Sequence, residues 1–156
     1  MAINMPGKDV PVRFVSYLTA HPGSKDTTYV LGVIDGFVLG LRRLSMADDD
    51  TTIFYVDGDW PNFRLYSGQD RSKFLRWGNP QSELLFSNNK NFLIPAATSF
   101  TLSPAKVDPW FALYDWQNHR WVVDVAASHT DDKSRIVSWT WNGGDNQIWR
   151  MEPVKR

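Results

Sequence analysis

The chain has 156 residues, with 17 basic and 17 acidic side chains, three His and no Cys. That length suits a single domain, 1–156, able to bury roughly 70% of its unfolded surface, and a net charge of zero argues against a general nucleic-acid binder. Without Cys there is no disulfide framework, no thiolate metal site and no cysteine nucleophile.

From the start, Met1 to Val10 has neither a basic opening nor an apolar stretch, so no signal peptide is expected. No Asn-x-Ser/Thr sequon occurs, and the expected location is the cytoplasm, or release without a signal peptide. Short runs of β-branched and aromatic residues follow: Val12-Arg-Phe-Val-Ser-Tyr-Leu18, Tyr29-Val-Leu-Gly-Val33 and Thr51-Thr-Ile-Phe-Tyr-Val56. The run Val30 to Leu41 is broken by Asp35 and is shorter than the ~20 residues of a membrane span, so no membrane insertion is expected. Turn clusters such as His21-Pro-Gly-Ser24, Asp57-Gly-Asp59 and Asn142-Gly-Gly-Asp145 separate the runs. Evenly spaced short strands with this punctuation predict an all-β fold.

Few of the usual chemical motifs are present. Asp48-Asp-Asp50 with Asp57 and Asp59 fits no calcium loop and reads as a solvated turn. His21, His119 and His129 are scattered, and neither a phosphate loop nor a nucleophile elbow occurs. Asp124 and Asp145 lack anything to mark one as a general acid. Neither catalysis, nor a metal, nor a cofactor is expected.

The chain does repeat. Phe63-Arg-Leu-Tyr66, then Gln69, returns 48 residues later as Phe111-Ala-Leu-Tyr114, then Gln117, and Phe14 with Tyr17 precedes them in the same rhythm. A second element recurs as Phe54-Tyr-Val-Asp-Gly58, Phe100-Thr-Leu-Ser-Pro104 and Trp149-Arg-Met-Glu-Pro153, with Thr52, Thr98 and Gln147 two residues before each aromatic. Three units are too few for a usual propeller, and a solenoid would need caps. The compact alternative is a β-trefoil: six barrel strands and three hairpins, in three pseudo-symmetric lobes of about 48 residues near 10–60, 61–108 and 109–154. Phe14, Phe63, Phe111, Phe54, Phe100 and Trp149 are the predicted core.

Nine Phe, eight Trp and five Tyr make up 14% of the chain, and six of the Trp lie between Trp110 and Trp149. Within that stretch, Arg120 to Trp149 holds Trp121-Val-Val-Asp124-Val, a polar turn, a strand ending Ser138-Trp-Thr-Trp141, and Asn146-Gln-Ile-Trp149. This resembles one lobe of the ricin-B-type (R-type) β-trefoil lectins, and of their Cys-free fungal members in particular. The likeness covers roughly 30 residues; the first two units keep the rhythm without the motif. It implies a glycan-binding protein, with galactose or N-acetylgalactosamine as the ligand class. Where relatives carry a disulfide across the hairpin, Val122 and Trp141 stand at the comparable positions, which implies apolar packing there.

The chemistry agrees with that implication. Vicinal sugar hydroxyls need a carboxylate acceptor with an amide beside it, and the C–H face of a pyranose needs an aromatic plane. Asp124 suits the carboxylate, since it interrupts an apolar strand and acids are seldom buried without a partner. Asn146 suits the amide and Trp139 the plane, with His129 and Asn142 as additional candidate contacts. By resemblance, Gln147 holds the Asp124 carboxylate. Simpler readings compete: Asp124 as a turn cap, Asn146 as a turn residue. Trp141 reads as core, and strict alternation would put Trp139 on the same face unless a bulge intervenes.

Two other functions compete. The segment Thr19-Ala-His-Pro-Gly-Ser-Lys-Asp-Thr27 lengthens the first connection and would suit a protease-inhibitory loop; a scaffold for other proteins is the third reading. Stepping back 48 residues from Asp124 gives Arg76, and a further step gives Gly32 or Gly40. None supplies a carboxylate, so one R-type site per chain is expected. Agglutination would then require an oligomer such as a homodimer.

Overall fold

A computed structural model describes residues 5–19 and 24–155. Among them are twelve strands: β1 (Val12–Ser16), β2 (Tyr29–Ile34), β3 (Val38–Arg43), β4 (Phe54–Asp59), β5 (Asn62–Ser67), β6 (Phe74–Arg76), β7 (Leu85–Ser87), β8 (Phe100–Pro104), β9 (Phe111–Asp115), β10 (Trp121–Val125), β11 (Ser134–Thr140) and β12 (Trp149–Pro153). The one α-helical segment described, α1 (Pro95–Thr98), is a single turn. No described helix is long and apolar enough to cross a membrane.

Six strands close into a ring. β1 pairs with β4, β4 with β5, β5 with β8, β8 with β9, β9 with β12, and β12 returns to β1. The other six form the hairpins β2–β3, β6–β7 and β10–β11. These hairpins touch one another, through Val38 opposite Leu85 and Ser134 opposite Leu41. A six-stranded ring with three hairpins is the arrangement of a β-trefoil. Closing the ring leaves those six strands without a free edge.

The aromatics of the expected repeat fill the interior, with one correction: Val12, not Phe14, stands where Phe63 and Phe111 do, since Val12 lies opposite Phe54 as Phe63 lies opposite Phe100 and Phe111 opposite Trp149. Phe14, Phe54, Phe63, Phe100, Phe111 and Trp149 are all buried in one cluster, with Phe14 edge-on to Phe54 and Phe111 at 5.9 and 6.4 Å between centroids. Each site where the ring strands meet also repeats its polar partner. Ser16 lies opposite Trp149, Ser67 opposite Phe54 and Asp115 opposite Phe100. All three side chains cap the turn that follows: Ser16 accepts from the Leu18 amide, Ser67 from Gln69, and Asp115 from Asn118, Arg120 and Trp121. Buried backbone donors need such acceptors where no strand supplies one.

Candidate functional site

Along β10 the side chains alternate, as a strand requires. Val123 and Val125 enter the core with Ile136 of β11, so Asp124 points to the other side, opposite Val137. Only 4% of Asp124 is exposed. Asn146 Nδ2 donates to its Oδ1 at 3.1 Å and Gln147 Nε2 to its Oδ2 at 2.8 Å. Burial pushes the Asp124 carboxyl above its ordinary value, and the hydrogen bonds from Gln147 and Asn146 partly offset that rise.

Gln147 is the hinge of the arrangement. Its Nε2 also donates to the Thr140 carbonyl at 2.9 Å, and its Oε1 accepts from the Asn142 amide at 2.9 Å. One buried amide therefore ties β10, the end of β11 and the following loop together. The turn Asp145–Gln147 delivers Asn146 beside it, where Nδ2 also reaches the Val125 carbonyl at 3.1 Å. Behind them, Trp149 is fully buried, with Nε1 donating to Val123 at 3.0 Å. Thr52 and Thr98, at the positions equivalent to Gln147, return their hydroxyls to local carbonyls instead.

Asp124, Trp139, Asn142 and Asn146 line one cavity of about 320 Å³. Trp139 is 39% exposed and faces it from the strand position two after Val137. Five further lining residues escaped the sequence reading: Gln81, Ala126, Ala127, Arg135 and Val137. Periodicity would have found Arg135 and Val137, which share the face of Trp139 on β11. Gln81 comes from the β6–β7 connection, held here because its amide donates to Ser138 Oγ at 3.1 Å. Ala127 adopts the left-handed backbone at φ 53°, uncommon without glycine, where the chain turns after β10.

Some expectations need correction. Trp141 is not core: β11 ends at Thr140, and Trp141 is 40% exposed beside Tyr114. The partner of Val122 is Trp139, not Trp141, because the hairpin pairs two residues earlier than the resemblance implied. His129 is exposed after the Ala126–Ser128 turn and does not line the cavity. The Asp48 end of the acidic run is bound rather than free. It pairs with Lys25 and Arg13, which hold its carboxyl below the ordinary value. Residues 20–23, including His21 and most of the extra length of the proposed inhibitory loop, lie outside the described residues. Among the described residues, no three His, Asp or Glu side chains are grouped to hold a metal.

No protein-family model matches the sequence, and no curated protein matches it. Solved structures do match the fold. The Macrolepiota procera ricin B-like lectin in complex with lactose superposes with a TM-score of 0.72 at 12% identity, over 97% of this chain and 100% of that one. The BEL β-trefoil gives 0.68 at 16% identity, over 97% of each chain. The C-half of an earthworm R-type lectin, in complex with GalNAc, gives 0.62 at 13%, over 92% and 98%. The chain is thus an all-β protein with a β-trefoil fold. More narrowly, it resembles the ricin B-like lectins in architecture, and at these identities the likeness speaks for the fold alone.

Proposed function

We propose that the protein is a lectin that binds glycans reversibly in the Asp124 cavity. The observation that carries the reading is a nearly buried carboxylate, positioned by two side-chain amides and sharing one cavity with a half-exposed Trp. A carboxylate has about four acceptor positions, and Asn146 and Gln147 occupy two. The remaining two suit a pair of sugar hydroxyls, and the Trp139 ring suits the C–H face of the same sugar. Asn142 and Asn146 add amide groups at the rim. Galactose or N-acetylgalactosamine is the proposed ligand class, a reading supported by the lactose and GalNAc bound to two structures of the same fold.

The chain is proposed to consist of three pseudo-symmetric lobes near 10–60, 61–108 and 109–154, a division supported by strands β1–β4, β5–β8 and β9–β12 falling within those bounds. An R-type carboxylate site is proposed in the third lobe and in neither of the others, with Gln81 of the second lobe reaching the same cavity, and cross-linking of cells then requires an oligomer such as a homodimer.

The test is titration calorimetry of galactose and N-acetylgalactosamine with the Asp124→Ala and Trp139→Ala variants. Loss of a charged hydrogen-bond acceptor costs about 1.5–3 kcal/mol, so Asp124→Ala should bind at least roughly tenfold more weakly. Asp124→Asn, which keeps the shape, should fail similarly while retaining the native circular dichroism. Wild-type affinity in Asp124→Ala would end the assignment.

A further inference from the structure

Trp141 is an exposed indole that the Asp124 cavity does not use, and it leads to a second cavity. Thr101 of β8, Tyr114 of β9, Val122 of β10 and Trp139 of β11 form a cross-strand row, each opposite the next. Opposed residues in a ladder point to the same side of the sheet. Trp139 and Tyr114 are therefore two strand spacings apart, about 10 Å. Trp141 leans onto this row, its ring centroid 6.1 Å from that of Tyr114. Beyond Tyr114 opens a cavity of about 360 Å³ between Trp60, Thr101, Tyr114, Trp116 and His119.

That second cavity is built rather than incidental. Trp60 is 44% exposed but fixed, with Nε1 donating to the Leu102 carbonyl at 2.8 Å. The buried Asp115 carboxylate accepts three backbone amides from the turn that carries Trp116 and His119. The His119 amide returns to the Asp115 carbonyl at 3.0 Å, holding His119 at φ 52° with its ring 5.5 Å from Trp116. Among the described residues no carboxylate, Lys or Arg lines this cavity. Aromatic planes with hydroxyls and one imidazole, and no fixed charge, suit a neutral polyhydroxylated ligand better than an ion.

We propose that the Trp60–His119 cavity is a second glycan-contacting subsite, continuous with the Asp124 cavity across Trp141, and that the ligand is a linear oligosaccharide spanning both. This inference rests on the glycan reading of the Asp124 cavity. A sugar anchored at Asp124 extends its chain over Trp141 and lays a later residue against Trp60 and Trp116. Contacts made by one connected ligand reinforce each other without a second cost of association.

The experiment compares galactose with galactose-terminated linear tri- to pentasaccharides by titration calorimetry, on the wild type and on Trp141→Ala, Trp60→Ala and Trp116→Ala. The longer ligands should bind the wild type at least tenfold more tightly than galactose. Each variant should lose that gain while keeping wild-type affinity for galactose, which also reports that the fold is intact. Asp124→Ala should weaken both ligands. Galactose binding with no gain from length overturns the second subsite alone. An unchanged gain in all three variants does the same. No binding of either ligand overturns the glycan reading and this inference with it.

Discussion

At neutral pH Asp124 has to remain ionised in a place that disfavours charge. Burial raises its pKa above 3.8, and the Gln147 and Asn146 amides only partly compensate. The sign for stability follows directly. A carboxyl whose folded pKa is raised contributes fully below the unfolded value and loses that contribution as pH rises through the folded value. Ligand binding runs the other way, since accepting two hydroxyl protons requires the ionised form. Sugar affinity should therefore fall by about tenfold per pH unit once pH drops below the raised pKa of the free site. Calorimetric titrations at decreasing pH should place the midpoint of that fall above 3.8; a midpoint at or below it would contradict the burial argument. Asp124, Trp139, Asn142, Asn146 and Gln147 were legible in the sequence because they lie within one short stretch whose residue types match the chemistry. Gln81 was not, because it reaches the cavity through hydrogen bonds of its loop to Ser138, a contact between distant segments that no local pattern records.

The β10–β11 hairpin carries most of the candidate site, so its attachment to the rest of the molecule matters. Its turn is tied to β3 by Asp132, which takes Arg42 Nε at 2.9 Å and Nη2 at 3.4 Å, and the Arg43 amide at 2.8 Å. Burial pushes the Asp132 carboxyl up, but the Arg42 and Arg43 hydrogen bonds and the nearby positive charges outweigh it, and the net shift is downward. Such a carboxylate contributes stability above the unfolded pKa and loses it as pH falls through the folded one. Breaking this half-buried pair by Asp132→Ala should cost about 1.5–3 kcal/mol at neutral pH. Urea denaturation of variant and wild type should show that gap closing as pH falls below 3.8. The same hairpin shows where sequence patterns stop informing. Pairing Val122 with Trp139 or with Trp141 leaves every side chain on the same face, since the two registers differ by two residues. Alternation could not choose between them, nor reveal that the strand would end at Thr140 and release Trp141.

For the whole molecule, the periodic aromatics were the most legible feature, because a closed barrel needs apolar groups at the same places each time the ring turns; in the first unit Phe14 drew the pattern two residues past Val12, which holds the matching place. The positions matching Asp124 elsewhere have different uses. The Arg76 guanidinium lies 4.4 Å from the Phe92 ring centroid. Gly32 and Gly40 lie directly opposite each other, and a Cβ on Gly32 would meet Arg42 Cγ at 2.6 Å. Calorimetric stoichiometry should accordingly give one R-type site per chain. Agglutination should appear only where the mass in solution exceeds that of a monomer; two or three equivalent sugars, or agglutination by a monomer, would contradict this. The ring has one more consequence. Because β1 and β12 are neighbours and the Val154 amide donates to the Pro11 carbonyl at 2.9 Å, the chain enters and leaves the barrel at the same point. The order in which the strands are threaded is thus separable from the shape they make. A circular permutant, with the ends joined by a short linker and the chain opened at the exposed Asn88–Asn89 turn, should fold and bind as the parent does, measured by its circular dichroism and sugar affinity.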